Sequence, residues 1–323
     1  VGDAVKSLLA ALFPSDCRFC QASLFTISRL PVCSSCLESI QPTLLARCNV
    51  CGDLLGRADA EFGDACCPEC SSEAPAYERA VNFGAYTGAL RQLIHLLKYE
   101  RVRAAAPLLG RFTAEACLQL EGDIDVAELL MIPVPAHKIR MRSRGFNQAE
   151  LIARAAQRGI EDAVGRKLTL EVTALLRVRF AESQVALTAE ERRQQIRGAF
   201  KVPSRDQVKG REILLVDDVL TTGATAAECA RELRQAGATR VWVVTPARAL
   251  SRVALESFEV QGRNAQDVEG FSSQVNMQPN MQSLLSDPLS SSTAQGSLLQ
   301  HRGISTNYGE QRAGERDQRA SQL

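Results

Sequence analysis

The stretch 213–225, Ile-Leu-Leu-Val-Asp-Asp-Val-Leu-Thr-Thr-Gly-Ala-Thr, constrains this chain more than any other. Four successive apolar residues, Ile213 to Val216, read as a strand buried on both faces, the pattern of a parallel sheet. Asp217 and Asp218 stand at its carboxyl end. Thr221, Thr222, Gly223, Ala224 and Thr225 then turn into a helix expected over 226–235, with Gly237 as its stop. Thr225 and Glu228 have the spacing of a capping box, and 241–245 reads as the next strand.

A strand, a glycine-containing turn and a helix start favour phosphate. Unpaired N–H groups at a helix N-terminus carry partial positive charge and stabilise an anion. Gly223 permits close backbone approach, and three threonine hydroxyls add donors. The two carboxylates cannot hold phosphate, but they can hold sugar hydroxyls or reach a magnesium ion. A ribose phosphate satisfies both halves. The stretch closely resembles the phosphoribosyl pyrophosphate (PRPP) signature of type I phosphoribosyltransferases, without a gap. The same Ile-Leu-Leu-Val-Asp-Asp opens receiver domains, but receivers begin with that strand, whereas here 212 residues precede it.

The second organising feature is cysteine. Cys17/Cys20, Cys33/Cys36, Cys48/Cys51 and Cys67/Cys70 form four Cys-x-x-Cys pairs within 54 residues. Two such pairs complete a tetrahedral thiolate site, so eight ligands fit two zinc ions. Adjacent and interleaved pairings both satisfy the spacing. With every position taken by cysteine, no coordination position stays open for water, and the zinc is expected to be structural. Metal binding would supply on the order of 10 kcal/mol per site to folding. Cys66 is a spare, and Cys117 and Cys229 read as small core residues.

Hydrophobic residues make up 45% and charged residues 23%, ordinary for a globular chain, and the net charge of +1 gives no global signature for nucleic acid. No apolar run reaches the roughly 18 residues that span a bilayer. The apolar cluster 8–13 is short for a signal segment and reads as an amphipathic helix. Along the chain, 80–86 and 129–134 read as strands and 90–97 and 104–119 as helices. A further helix is expected over 149–158, stopped by Gly159, and another over 188–196. Between the strand 129–134 and the first of these helices lies a basic loop carrying Lys138, Arg140, Arg142 and Arg144. It follows a strand end and suits a pyrophosphate leaving group.

A wider resemblance joins these parts. The four Cys-x-x-Cys pairs, Leu97-Lys98-Tyr99, Pro133-Val134-Pro135, Arg144-Gly145-Phe146-Asn147-Gln148, Leu175-Leu176-Arg177 with Gln184 and Leu187, Arg197-Gly198-Ala199-Phe200 and the Asp-Asp signature run in the order of the ComF (competence protein F) family. Ala181 and Gln195 depart from the Thr and Asn usual there, in a stretch read as a mobile hood over the substrate. The resemblance implies a cytoplasmic bacterial protein linked to DNA uptake.

The expected fold is α/β: a mostly parallel sheet flanked by helices, with a small N-terminal cysteine-rich zinc module. Residues 1–72 form the zinc-ribbon-like module, 77–256 the phosphoribosyltransferase-like domain, and 257–323 a low-complexity tail expected to be disordered. PRPP with magnesium is expected at Asp217, Asp218, Thr221, Thr222, Gly223, Ala224 and Thr225, with pyrophosphate at Lys138, Arg140, Arg142 and Arg144. Zinc is expected at Cys17, Cys20, Cys33, Cys36, Cys48, Cys51, Cys67 and Cys70. The expected reaction transfers 5-phosphoribose to a nitrogen acceptor that the sequence does not identify. No residue stands out as a general base. The rival reading is a non-catalytic PRPP- or nucleotide-binding module that serves DNA uptake through single-stranded DNA or a competence-protein partner.

Overall fold

The computed structural model describes residues 15–24, 28–55, 66–120, 122–179 and 189–251. The expected N-terminal helix, residues 180–188 of the expected hood and the tail lie outside them. Within the described residues a five-stranded sheet is built from β3 (Arg79–Ala85), β4 (Leu130–Pro133), β5 (Thr169–Leu170), β8 (Glu212–Val216) and β9 (Arg240–Arg248). Its order is β3-β9-β8-β4-β5, and every pairing in it is parallel. Two short antiparallel pairs stand apart: β1 (Ser15–Asp16) with β2 (Ser23–Leu24), and β6 (Leu176–Arg177) with β7 (Phe200–Lys201).

Strand β8 shows why the sheet needs helices on both faces. Its side chains alternate: Leu214 and Val216 enter one apolar cluster, Ile213 and Leu215 the other. The first cluster is closed by α3 (Gly88–Lys98), α4 (Ala106–Cys117) and α6 (Gln148–Val164). The second is closed by α8 (Ala224–Gln235), through Cys229, Ala230 and Leu233. Cys117 and Cys229 are fully buried, as expected of small core residues.

The cysteine segment carries α1 (Ser34–Glu38) and α2 (Pro68–Ser72). Its second loop lies along the outer edge of β3. Ala80 N–H donates to Val50 O at 2.7 Å, Thr43 N–H to Phe83 O at 3.1 Å, and Asn82 Nδ2 to Gly52 O at 3.1 Å. That edge of the sheet therefore leaves few unpaired backbone groups.

Three local expectations are corrected. The basic loop is a helix, α5 (Lys138–Arg144), with His137 as its N-cap and Gly145 as its stop. Helix α6 runs through Gly159 and ends at Gly165, which adopts φ 68°. Helix α8 starts at Ala224, so Thr225 lies in its first turn and forms no capping box. The Glu228 carboxylate instead accepts from Gly198 N–H and from Arg231. The remaining short helix, α7 (Ala189–Ile196), matches the expectation of a helix after Thr188, which itself lies outside the described residues.

Helices α4 and α6 touch at small residues. A Cβ on Gly110 would lie 2.3 Å from Ala155 Cβ and 2.8 Å from the Ala156 nitrogen, so only glycine fits this crossing. Gly110→Ala should destabilise the chain by about 1–3 kcal/mol. Urea denaturation read by circular dichroism checks this; a midpoint equal to that of the parent chain would refute the close packing.

Candidate functional site

The chain's connections leave β4 and β8 in opposite directions. From β4 the chain moves outward to β5; from β8 it moves to β9 on the other side. Such a reversal opens a crevice outside the carboxyl ends of two neighbouring strands, where open α/β sheets place their ligands. Pro133 and Val216 are paired across that boundary, and Val134 N–H donates to Val216 O at 2.8 Å. Everything that follows β4 and β8 therefore starts from one place.

Asp217 and Asp218 follow β8 directly. Asp218 is buried, and its Oδ1 accepts from Lys98 Nζ at 2.9 Å. Lys98 comes from the last turn of α3. Burial works against its charge, but the Asp218 carboxylate more than offsets this and holds the ammonium above its ordinary pKa. The other Asp218 oxygen, Oδ2, is buried without a hydrogen-bond partner. Asp217 is partly buried and accepts the Asp218 N–H at 2.8 Å. Burial and the Asp218 carboxylate push its pKa up to about 7, against the pull of Lys98 and Arg177.

After Leu220 the chain turns through exposed Thr221 and Thr222 to Gly223, which caps α8 at φ 76°. A Cβ at Gly223 would lie 3.1 Å from the Tyr77 hydroxyl, so glycine is required for conformation and for space. Thr222 Oγ1 accepts the Ala224 N–H at 3.4 Å, and Thr225 is half-buried in the first turn. The first-turn N–H groups of a helix have no partners within it. The turn thus offers an anion a cradle of backbone N–H groups beside two carboxylates.

Helix α5 rises from the end of β4. Lys138 and Arg142 are exposed, and Arg140 and Arg144 are half-buried. Arg101 donates to Ser143 O at 2.6 Å and Arg103 to Gly145 O at 3.1 Å, fixing the end of the helix. Arg144 lies over the exposed ring of Tyr99, 5.7 Å from its centroid, and its Nη1 is buried without a partner. Arg177, on β6, stacks over Phe200 at 5.4 Å. Burial lowers its pKa first and Arg140 adds to this, while Asp217 pulls the other way. Arg140, Arg177 and Asp217 therefore share one electrostatic neighbourhood. Lys98 and Arg177 were legible only as parts of a family motif. Their roles needed the fold, because the sequence separates them from Asp217 by more than a helix and a strand.

The cysteines resolve into two clusters: Cys17, Cys20, Cys33 and Cys36 in one, Cys48, Cys51, Cys67 and Cys70 in the other. In each, the four sulfurs lie within 4.8 Å of one another, so adjacent rather than interleaved pairs combine. Cys20 and Cys33 sulfurs are 3.6 Å apart, and those of Cys51 and Cys67 3.7 Å. A tetrahedron with zinc–sulfur bonds of about 2.3 Å has edges of about 3.8 Å. Backbone N–H groups of Phe19 and Cys33 point at Cys17 Sγ, and those of Cys51 and Cys67 at Cys48 Sγ. The neighbouring Cys51 and Cys70 thiols, with these N–H groups, hold Cys48 far below an ordinary thiol. The donor set fits structural zinc at both clusters. Cys66 stands outside them.

The chain matches the phosphoribosyl transferase domain family over residues 158–280. It is 29% identical over 242 residues to competence protein F of Haemophilus influenzae, covering 73% of this chain and 98% of that protein. It is 30% identical over 231 residues to the DNA utilization protein YhgH of Escherichia coli O157:H7, covering 71% of this chain and 95% of the relative. A solved phosphoribosyltransferase from Corynebacterium diphtheriae aligns with 54% of this chain and 87% of its own, at 20% identity and a TM-score of 0.26, too loose to carry an argument. No helix among the described residues is long and apolar enough to cross a membrane.

Purified protein should carry about two zinc ions per chain under the eight-ligand arrangement. Cys48→Ser should lose one of them and keep the other, because the two clusters share no ligand. Elemental analysis decides this; disulfides in place of metal would overturn it.

Proposed function

The chain belongs to the family of competence protein F and the YhgH proteins, and from that premise we propose that it binds PRPP with magnesium at 217–225. It would transfer 5-phosphoribose to a nitrogen acceptor. The carrying observation is the Asp217–Asp218 pair placed directly before a Gly223-capped helix, at the point where the sheet's connections diverge. Carboxylates accept hydrogen bonds from vicinal ribose hydroxyls, and the buried, unpartnered Asp218 Oδ2 has room in its bonding for one. The 5-phosphate fits the N–H groups and hydroxyls of Thr221 to Thr225.

In the reaction the bond from ribose C1 to pyrophosphate breaks and a C1–nitrogen bond forms, with the acceptor proton released to solvent or to the leaving group. Lys138, Arg140, Arg142 and Arg144 would neutralise the departing pyrophosphate, joined by Arg177. Magnesium, when bound with the substrate, supplies further charge to the phosphate oxygens. Lys98 has a different task. Its ammonium pairs with Asp218 Oδ1 at 2.9 Å and fixes that carboxylate beside the turn, leaving Oδ2 for the ligand.

A second reading is favoured by one feature. Helix α5 carries exposed Lys138 and Arg142, and its Arg144 covers one side of the exposed ring of Tyr99. Basic groups beside an exposed aromatic suit single-stranded nucleic acid. Under this reading the chain is a binding module that serves DNA uptake, and PRPP or a nucleotide is sensed and not consumed.

Calorimetric titration with PRPP and magnesium tests the first reading. Asp217→Asn combined with Asp218→Asn should abolish binding while the far-ultraviolet spectrum stays unchanged; undiminished affinity in the folded double variant would sink the ribose assignment. The Asp217 carboxyl accepts hydroxyls more strongly when ionised, and burial with the neighbouring Asp218 carboxylate holds its pKa up to about 7. Association should therefore strengthen as pH rises from about 6 to 8 and level off above, and Asp217→Asn should lose that contribution. For the second reading, fluorescence anisotropy with a single-stranded oligonucleotide should show steeply salt-dependent binding that survives Asp217→Asn and weakens in Lys138→Ala with Arg142→Ala. No binding at low salt would remove it.

A further inference from the structure

Arg248 ends β9 as a buried side chain that the reaction has not used. Its Nη1 donates to the carbonyl of Leu220 at 3.1 Å and to that of Thr221. These residues lead into the Gly223 turn. On its other side, Nη2 stands 3.7 Å from Asp53 Oδ2 and 3.8 Å from Cys51 Sγ. Asp53 is itself buried and lies two residues beyond Cys51 in the second cysteine loop. One guanidinium therefore touches both the chain leading into the Gly223 turn and the second four-cysteine cluster. The backbone agrees: Ala249 N–H donates to Leu220 O at 2.9 Å, and Leu220 N–H to Ala247 O at 3.0 Å. Tyr77, which follows the second cluster in the chain, closes over Gly223 from the same side.

Electrostatics gives this contact a direction. A buried guanidinium needs counter-charge, and Asp53 supplies part of it from the cysteine loop. A zinc ion bound by four thiolates leaves the site with net negative charge, part of it on Cys51 sulfur. We propose that Arg248 is a positioning residue for the phosphate turn, oriented by Asp53 and by the metal-bound Cys51 thiolate. With the second cluster loaded, Arg248 holds the Leu220 and Thr221 carbonyls, and the N–H groups of the next residues face the ligand. With the cluster empty, the loop that carries Cys51 and Asp53 is no longer held by metal, and Arg248 loses its anchor and with it part of its grip on the turn. The zinc is then more than a fold staple: its occupancy sets how well the turn binds phosphate. The inference rests on the phosphate reading of 217–225, and its test separates the two.

The test uses the full chain loaded with zinc, as parent, Arg248→Met, Arg248→Lys and Asp53→Asn. Metal content, hydrogen exchange of a peptide spanning 217–225 and PRPP–magnesium affinity are measured on each. Arg248→Met should keep about two zinc ions, exchange faster in that peptide and not in one spanning β4, and bind PRPP about 10- to 100-fold more weakly. Arg248→Lys should recover part of the protection, and Asp53→Asn should show the same changes in smaller measure. Stripping zinc from the parent with a chelator should speed exchange at 217–225, and stripping Arg248→Met should add little. The proposal is overturned by parental exchange and affinity in Arg248→Met. It is equally overturned if Arg248→Met and Asp53→Asn both lose protection across the whole sheet, which marks a general packing role. A parent that fails to bind PRPP but keeps Arg248-dependent protection at 217–225 retains the positioning role and removes the phosphoribosyl reading.

Discussion

Two carboxylates in succession at the end of a fully buried strand are costly, and much of the site is the set of groups that makes them tolerable. Asp218 faces inward and is paired with Lys98 at 2.9 Å, a contact between two largely buried charges. Such a pair breaks even only when its geometry is good and both ions are otherwise satisfied. Here one Asp218 oxygen is left without a partner. Asp217 carries the strain differently, through a carboxyl pushed towards neutrality. Unsatisfied buried groups persist where function requires them, and these two features mark the acid pair as a candidate site.

The sheet topology turns that local cost into a usable crevice. The parallel pairing of β4 with β8 sets the two strand ends side by side, so the basic helix α5 and the acid-turn-helix segment begin at the same level. Cationic and anionic elements then start side by side at one crevice. The cysteine segment does more than hang from the sheet. Its second loop bonds along β3, and Arg248 links that loop to the turn at Thr221. Cysteine cluster, sheet edge and turn are one connected structure.

The strands were legible because buried parallel strands are runs of apolar residues, and 213–216 and 241–245 are such runs. The basic helix was missed for a physical reason. Its apolar residues, Ile139 and Met141, stand two apart and neither is buried, so no helical stripe appears. The His137 cap and the Gly145 stop define it instead. Gly159 misled in the opposite sense. It reads as a stop, but a Cβ there would lie 3.0 Å from Ala114 Cβ, so it marks a close approach of two helices. Thr225 and Glu228 had the right spacing for a cap, yet Gly223 took that role and Glu228 was drawn to Gly198 and Arg231.

What the sequence alone determined is local chemistry: which residues can bind anions, sugars or metal, and which runs must be buried. Residue type and spacing along one chain suffice for that, because the partners are near neighbours. Which cysteine pairs share a site was left open, since adjacent and interleaved pairings have the same spacing. Lys98, Arg177 and Arg248 could not be assigned roles either. Each acts on residues 27 or more positions away, and such meetings are decided by the strand order β3-β9-β8-β4-β5 and by the packing of helices upon it.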